Sequence, residues 1–324
     1  MLSVRDLTVS VTTREEPLDI VRNVSFDIAK GEILGVVGES GCGKSMTSLA
    51  IMGLLPKPMI DVRSGQILLN GKDVTELTPY DRVQQKCGGI SMIFQEPMTS
   101  LNPVMRAGEQ IIEALDIHDQ EADRSPEKRA RELLDLVHIP DAALQLSAYP
   151  HELSGGMRQR IMIAIALACN PEVLVADEPT TALDVTIQSQ ILSLIRELCD
   201  ELSVAVMFIT HDLGVVAQLA DRVAVMYAGS VIETAPVEPL FKDRSHPYTD
   251  GLFNCLPDPT HQTAGLNPII GQAPLAGEIN DGCRFAPRCD FIADDCKKGD
   301  IDWVEISEDH QARCKHPQRK GGMS

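Results

Sequence analysis

Gly38, Gly43, Lys44 and Ser45 stand in the spacing G-x-x-x-x-G-K-S, with Glu39, Ser40, Gly41 and Cys42 filling the variable positions. Glycines at this spacing let successive backbone N–H groups curl around an anion, and a helix that starts there adds the positive end of its dipole. In such a loop the lysine, here Lys44, reaches the β- and γ-phosphates of a nucleotide. The serine hydroxyl, here Ser45, ligates Mg²⁺. A short apolar run at 33–37 precedes the loop and a helical run at 46–55 follows it, which is the context a phosphate loop needs. The plainer alternative is a glycine-rich turn leading into a helix.

A second apolar run, 173–176, ends in two adjacent acids, Asp177 and Glu178. A strand that ends in an acid delivers its carboxylate to the C-terminal edge of the sheet, where open α/β sheets bind ligands. Asp177 suits Mg²⁺, directly or through water, and Glu178 is then placed to polarise an attacking water as general base. A third stretch, 153–159, sets Ser154, Gly155 and Gly156 at the start of a helical run, a second anion-binding geometry in one chain. One nucleotide does not readily use both sites if they lie far apart. The economical arrangement is a dimer, with ATP between one subunit's phosphate loop and the other's Ser-Gly-Gly. The plainer readings are two exposed acids capping a strand and a helix N-cap with a flexible lead-in.

The elements that must carry these residues follow from periodicity. Short strands are expected at 2–10, 19–28, 33–37, 66–69 and 90–94, with Asn70-Gly71 as a two-residue hairpin turn. From 97 to 158 the pattern turns helical: apolar residues recur at helical spacing over 108–115. Ser125-Pro126 then supplies an N-cap with proline at the first helical position, and Ala130, Leu133, Leu134 and Val137 share one face. Strand character resumes at 173–176, a helix is expected at about 185–202, a buried strand at 204–209, a helix at 212–219, and a strand pair around Ala228-Gly229. Strands alternating with helices imply a mostly parallel sheet covered on both faces. From Pro236 proline becomes denser and four of the nine cysteines fall within 283–314, so 1–235 and 236–324 are read as two regions, with a helical insertion at about 97–158.

The chain has 324 residues, 44% of them hydrophobic and 23% charged, as expected of one large or two modest globular domains. Its longest purely apolar run, 161–169, is far too short to span a bilayer, and the first ten residues lack the apolar core of a secretory leader; both features place it in the cytosol. A net charge of −18 argues against nucleic acid as the main partner, because phosphate contacts need Lys and Arg.

In order and spacing these motifs resemble the ATPase subunits of ABC transporters. Residues 38–45 match Walker A, 173–178 Walker B and 153–159 the ABC signature. Gln95 fits the Q-loop, Ala182-Leu183-Asp184 the D-loop and His211 the switch histidine. The resemblance implies an α/β P-loop ATPase with a mostly parallel sheet, N-terminal antiparallel strands, a helical insertion and a loop-rich C-terminal extension. It implies that Gln95 senses Mg²⁺ and the attacking water, that His211 contacts the γ-phosphate, and that Asp184 acts across the dimer interface. Taken singly, Gln95 and His211 are ordinary polar residues at strand ends. The run 95–103, the His246-Pro247-Tyr248-Thr249 sequence, and Met157 in the signature are similar to the peptide/nickel-type importers, in particular the first of the two unlike ATPases of dipeptide and oligopeptide permeases. That likeness implies a second, non-identical ATPase, two membrane permeases and an extracytoplasmic binding protein, with this chain peripheral on the cytoplasmic face of the membrane. One departure stands out: many ABC ATPases stack adenine on an aromatic residue before Walker A, and 11–25 contains none. Leu18 or Ile20 is expected to take that place, with weaker selection of ATP over GTP.

Cys283, Cys289, Cys296 and Cys314 are spaced C-x5-C-x6-C-x17-C. Four thiolates in such a tail suit a 4Fe–4S cluster or a structural Zn²⁺, though the spacing lacks the tight C-x2-C of common zinc ribbons; free thiols or disulfides are the remaining reading. A similar cysteine set in the peptide-importer family is associated with a 4Fe–4S cluster, which favours iron. Cys42 occupies a variable Walker A position. Cys87, Cys169, Cys199 and Cys255 are read as packing residues, and His246, His310 and His316 as surface residues, with metal ligands as the alternative reading for the histidines. The rival functions are a non-transport ABC ATPase, an exporter ATPase and a regulatory module in which the tail senses metal or redox state. The single cassette, the short insertion and the acidic charge weigh against the first, the lack of fused membrane helices weighs against the second, and the third is compatible with an active ATPase.

Overall fold

The computed structural model describes residues 1–78, 81, 89–95, 100–118, 125–168, 170–181, 183–255, 269–279 and 281–318. Residues 96–99 of the expected Q-loop run, Ala182 of the D-loop, and Cys87 and Cys169 lie outside them.

Two sheets organise the chain. Strands β1 (Leu2–Val11) and β2 (Leu18–Ile28) form an antiparallel pair. β3 (Ile33–Val37) leaves them for a second sheet, while β4 (Ile60–Leu69) and β5 (Lys72–Asp73) return to the first, giving the order β2-β1-β4-β5. β4 begins six residues earlier than the sequence pattern indicates. It pairs with β1 through a register shift between Arg5 and Thr8, so Ser64-Gly65 lies at a bulge within a strand rather than at its start. Asn70 and Gly71, both at positive φ, make the expected tight turn into β5.

The second sheet collects β3, β6 (Ile90–Ile93), β7 (Val173–Asp177), β8 (Ala205–Ile209), β9 (Arg222–Tyr227), β10 (Ser230–Pro236), β11 (Val304–Ser307) and β12 (His310–Ala312), in the order β11-β12-β10-β9-β3-β8-β7-β6. From β9 to β6 the pairing is parallel throughout. Every residue of β3, β7 and β8 is buried, and alternate side chains enter different cores. Leu174, Ala176, Val206 and Phe208 face one core; Val173, Val175, Ala205 and Met207 face the other. Burying each such large aliphatic or aromatic side chain contributes about 1.5–3 kcal/mol.

The first core lies under the helices α2 (Ala107–His118), α3 (Pro126–Leu136), α5 (Gly155–Ala168) and α6 (Val185–Leu202), with the short α4 (Ala142–Gln145) beside them. Pro126 stands at the first helical position of α3 as expected, but the Ser125 hydroxyl donates to Glu127 instead of capping the backbone. The second core is sandwiched between the two sheets and includes Ala50 and Ile51 of α1 (Lys44–Met52). A third core joins α7 (Leu213–Leu219), α8 (Val237–Asp243) and α9 (Pro247–Asn254) to the C-terminal tail, around Tyr227, Tyr248 and Phe285. β12 pairs with β10, Glu233 facing Ala312 and Thr234 facing Gln311, so the tail extends the central sheet. Among the described residues, no helix is long and apolar enough to cross a membrane.

His246 and His310 are not surface residues: each is only 1% exposed. The reason is Glu233, fully buried on β10, whose carboxylate accepts from the Ser245 and His246 amides at 2.6 and 3.0 Å and lies 2.8 Å from His310 Nε2. A buried carboxylate requires such partners. His316 is exposed, as expected, and lies against Asp295. Cys199 is a packing residue whose thiol reaches Val204 O, whereas Cys255 is exposed.

Candidate active site

Strand order decides what meets at the C-terminal edge of the parallel sheet. β3, β8, β7 and β6 are consecutive neighbours, and the loop at 38–43, His211, Asp177-Glu178 and Gln95 follow or end these four strands in that order. Ile209 of β8 is level with both Val36 and Asp177, and Ile93 is level with Ala176, so all four exits lie at one height.

The glycine loop leaves β3 at Gly38, where φ is +155° and a Cβ would fall 2.2 Å from Met226 O; no other residue fits there. α1 then starts at Lys44 without a side-chain cap, leaving its first amides for a ligand. Lys44 is 6% exposed, and its ammonium donates to Gly38 O at 2.7 Å and Glu39 O at 3.0 Å. Ser45 is exposed and lies beside Asp177, close enough to favour its charged form. Asp177 is buried and its Oδ1 has no hydrogen-bond partner. Burial pushes this carboxyl above its usual range and the Glu178 charge adds to the shift, against the Ser45 hydroxyl and the Lys44 charge.

Glu178 gathers the remaining groups. Its Oε2 accepts from Gln95 Nε2 at 3.2 Å and Thr181 Oγ1 at 3.0 Å, and its Oε1 lies 3.1 Å from His211 Nδ1. Burial opposes its charge, but the His211 and Thr181 hydrogen bonds, with His211 and Lys44 nearby, outweigh it and hold the carboxyl below its ordinary value. Glu178 also sits at φ +47°, anchored by its amide to Ile209 O at 2.9 Å. A glutamate in this region of backbone space carries strain, which the surrounding bonds must hold.

The other expected residues form a second group, at the starts of α5 and α6. Ser154 Oγ caps α5 by accepting from the Met157 amide at 3.2 Å, and Asp184 Oδ1 caps α6 by accepting from the Ile187 amide at 2.9 Å. Gly156 lets the two helices approach, since a Cβ there would fall 2.9 Å from Ile187 Cγ2. Ser154, Gly155 and Asp184 are exposed.

In the tail, Cys283, Cys289, Cys296 and Cys314 line one small pocket with Phe285, Phe291, Ile292 and Ile301, and none of the four is in a disulfide. Burial raises Cys283, Cys289 and Cys314, the last to about 11; Cys296 adds to all three shifts, and the other three cysteines together add to that of Cys314. The set of ligand atoms found within 4.8 Å of one another among the described residues is Asp295, Cys296 and His316. Leu18, one of the two residues expected under adenine, packs against Gly277 of the tail. Sequence reasoning missed Thr181, three residues past Glu178. It also missed two residues at the loop itself: Tyr248, whose hydroxyl accepts from the Glu39 amide at 2.9 Å, and Arg288, which pairs with the Glu39 carboxylate. Tyr248 lay in a noted motif; Arg288 had no local signal.

A phosphate loop, an acid-ended neighbouring strand and a capped Ser-Gly-Gly helix on a parallel sheet define an ATP-binding cassette, and the chain belongs to the ABC transporter family, whose description matches residues 21–181. Residues 232–296 match the C-terminal region of oligopeptide/dipeptide transporters, which places the chain in that branch. It is 49% identical over 296 residues to the oligopeptide transport ATP-binding protein AppD of Bacillus subtilis, covering 91% of this chain and 90% of that one. It is 48% identical over 315 residues to the probable peptide ABC transporter ATP-binding protein y4tR of Sinorhizobium fredii, covering 97% and 94%. A dimeric, post-hydrolysis structure of the ATP-binding cassette MJ0796 bound to ADP and Pi superposes with a TM-score of 0.64 at 28% identity, covering 73% of this chain and 99% of that one.

Proposed function

We propose that this chain binds and hydrolyses ATP as one of two cassettes that power import of peptides or a related small solute. The observation that carries the reading is the convergence of Gln95, Thr181 and His211 on the Glu178 carboxylate, one residue beyond the buried Asp177. Lys44 exchanges its loop carbonyls for the β- and γ-phosphates. Ser45, Asp177 and Gln95 hold Mg²⁺; a cation fits here because Asp177 Oδ1 is buried and unpartnered. Bound Mg²⁺ supplies neutralisation of charge on the phosphate oxygens. Glu178, ionised at neutral pH, takes the proton of the attacking water; His211 contacts the γ-phosphate. The exposed Ser154 and Gly155, with Gly156 and Asp184, serve the nucleotide of the facing cassette. That partner is a second, non-identical ATPase, and the complex adds two membrane permeases and an extracytoplasmic binding protein, with this chain on the cytoplasmic face. The relatives named for oligopeptide and peptide transport support this solute class. In this reading 1–235 is the ATPase, with its helical subdomain at about 97–158, and 236–324 is the extension.

Glu178→Gln tests the mechanism. The variant is expected to bind ATP and accumulate closed dimers on size exclusion, while turnover falls by roughly 10²–10⁴-fold, the range of a lost general base. Normal turnover would remove Glu178 from that role.

Cys283, Cys289, Cys296 and Cys314 hold a 4Fe–4S cluster in this reading. Four soft donors around one apolar-walled pocket fit it. Anaerobic purification checks this: about four irons with matching sulfide per chain supports the cluster, whereas about one zinc, or no metal, refutes it.

A further inference from the structure

The second residue of the phosphate loop is gripped from the far end of the chain. Arg288, 249 positions from Glu39 in sequence, donates from Nη1 and Nη2 to the two Glu39 carboxylate oxygens at 3.0 and 3.1 Å. The guanidinium side chain is 6% exposed and is itself fixed: Nε donates to Ile270 O, Nη2 to Ile269 O, and Nη1 to the Tyr227 hydroxyl. The Tyr248 hydroxyl holds the Glu39 backbone from the same side, accepting its amide at 2.9 Å. Glu39 therefore points away from the anion cradle and into the tail. Its own carbonyl, on the residue so gripped, is one of the two that hold the Lys44 ammonium.

We infer that Arg288 is a positioning residue for the phosphate loop: its two-pronged bond to Glu39 sets the loop geometry that presents Lys44 and the loop amides to a nucleotide. A planar guanidinium bonding both carboxylate oxygens fixes orientation as well as distance, which a lysine does not reproduce. Because the tail stabilises the loop, nucleotide binding and tail docking are linked, and each strengthens the other by the same factor. This rests on the nucleotide-site reading above.

The test is a double-mutant cycle on the full chain with Arg288→Ala, Glu39→Ala and the pair, with Arg288→Lys as the conservative variant. Two readouts are taken: MgATP affinity by equilibrium binding, and amide hydrogen exchange in nucleotide-free protein. Arg288→Ala is expected to weaken MgATP binding about tenfold, the scale of one charge-assisted pair, and to raise KM more than it lowers kcat. The double variant is expected to bind no worse than the weaker single one. Amides of the loop at 39–44 are expected to exchange faster in Arg288→Ala while β3 keeps its protection. Arg288→Lys is expected to recover only part of the affinity. Additive losses, or a lowered melting temperature with unchanged affinity and loop exchange, would reduce Arg288 to a structural tie and overturn the inference. Wild-type protein that fails to bind MgATP would instead defeat the nucleotide-site reading, while the nucleotide-free exchange result would still decide whether Arg288 orders the loop.

Discussion

At the scale of single residues, the site separates two adjacent carboxylates by environment. Asp177 lies inside, its carboxyl raised by burial, while Glu178 is stabilised as an anion by His211 and Thr181. The sign for stability follows from the direction of each shift. A carboxyl whose folded value is raised is most favourable when protonated; its stability contribution is present at low pH and lost as pH rises through the raised value. Asp177→Asn is therefore expected to raise stability at pH 7, by about 1 kcal/mol, while abolishing Mg²⁺-dependent turnover. Thermal melts of both proteins from pH 7 downward check this: the advantage of the variant shrinks toward the ordinary aspartate range near about 4. A variant less stable than wild type at pH 7 would show that the buried charge is not a cost. Asp177, Glu178, Lys44 and Ser45 were all legible, because each sits in a short spacing whose chemistry is local. Thr181 was not, because a threonine after an acidic strand end acquires meaning only once its hydroxyl is seen on Glu178.

At the scale of elements, strands were legible where alternation or a continuous apolar run set them, and helices where one face was apolar. β4 was misjudged because a bulge crossing puts small residues inside a strand, where they read as its boundary. The two tail strands gave no signal because they are short, with only three residues in β12, and their pairing depends on β10. Glu233 binds those elements: on β10 it accepts from the start of α9 and faces His310 of β12. Burial drives the His246 imidazole down to about 4, the Glu233 charge opposing, so it is neutral at pH 7 and its Nδ1 accepts from the Tyr248 amide at 3.0 Å. Glu233→Ala leaves these buried donors without an acceptor and is expected to cost about 3–5 kcal/mol. Denaturant unfolding measures the loss, and limited proteolysis should show cleavage of the tail before the 1–235 region. A loss within about 0.5 kcal/mol would mean that the tail docks without this carboxylate.

At the scale of the whole molecule, residues far apart in sequence are joined by strand order. Gln95, Glu178 and His211 are spread over more than a hundred residues, and they meet because β6, β7 and β8 are parallel neighbours. The tail joins the same sheet through β12 and reaches the loop through Tyr248 and Arg288, so the cysteine pocket and the nucleotide site share one framework. The sequence by itself determined the phosphate loop, the acid-ended strand, the Ser-Gly-Gly helix start and the cysteine set. Those depend on backbone freedom, capping and donor type within a few consecutive residues. Only the tertiary structure decided that Glu39 belongs to Arg288, that Glu233 buries two histidines, and that one sheet carries both site and tail. Such pairings rest on sheet order and on many small burial terms summed across the chain, and no short window of sequence contains them.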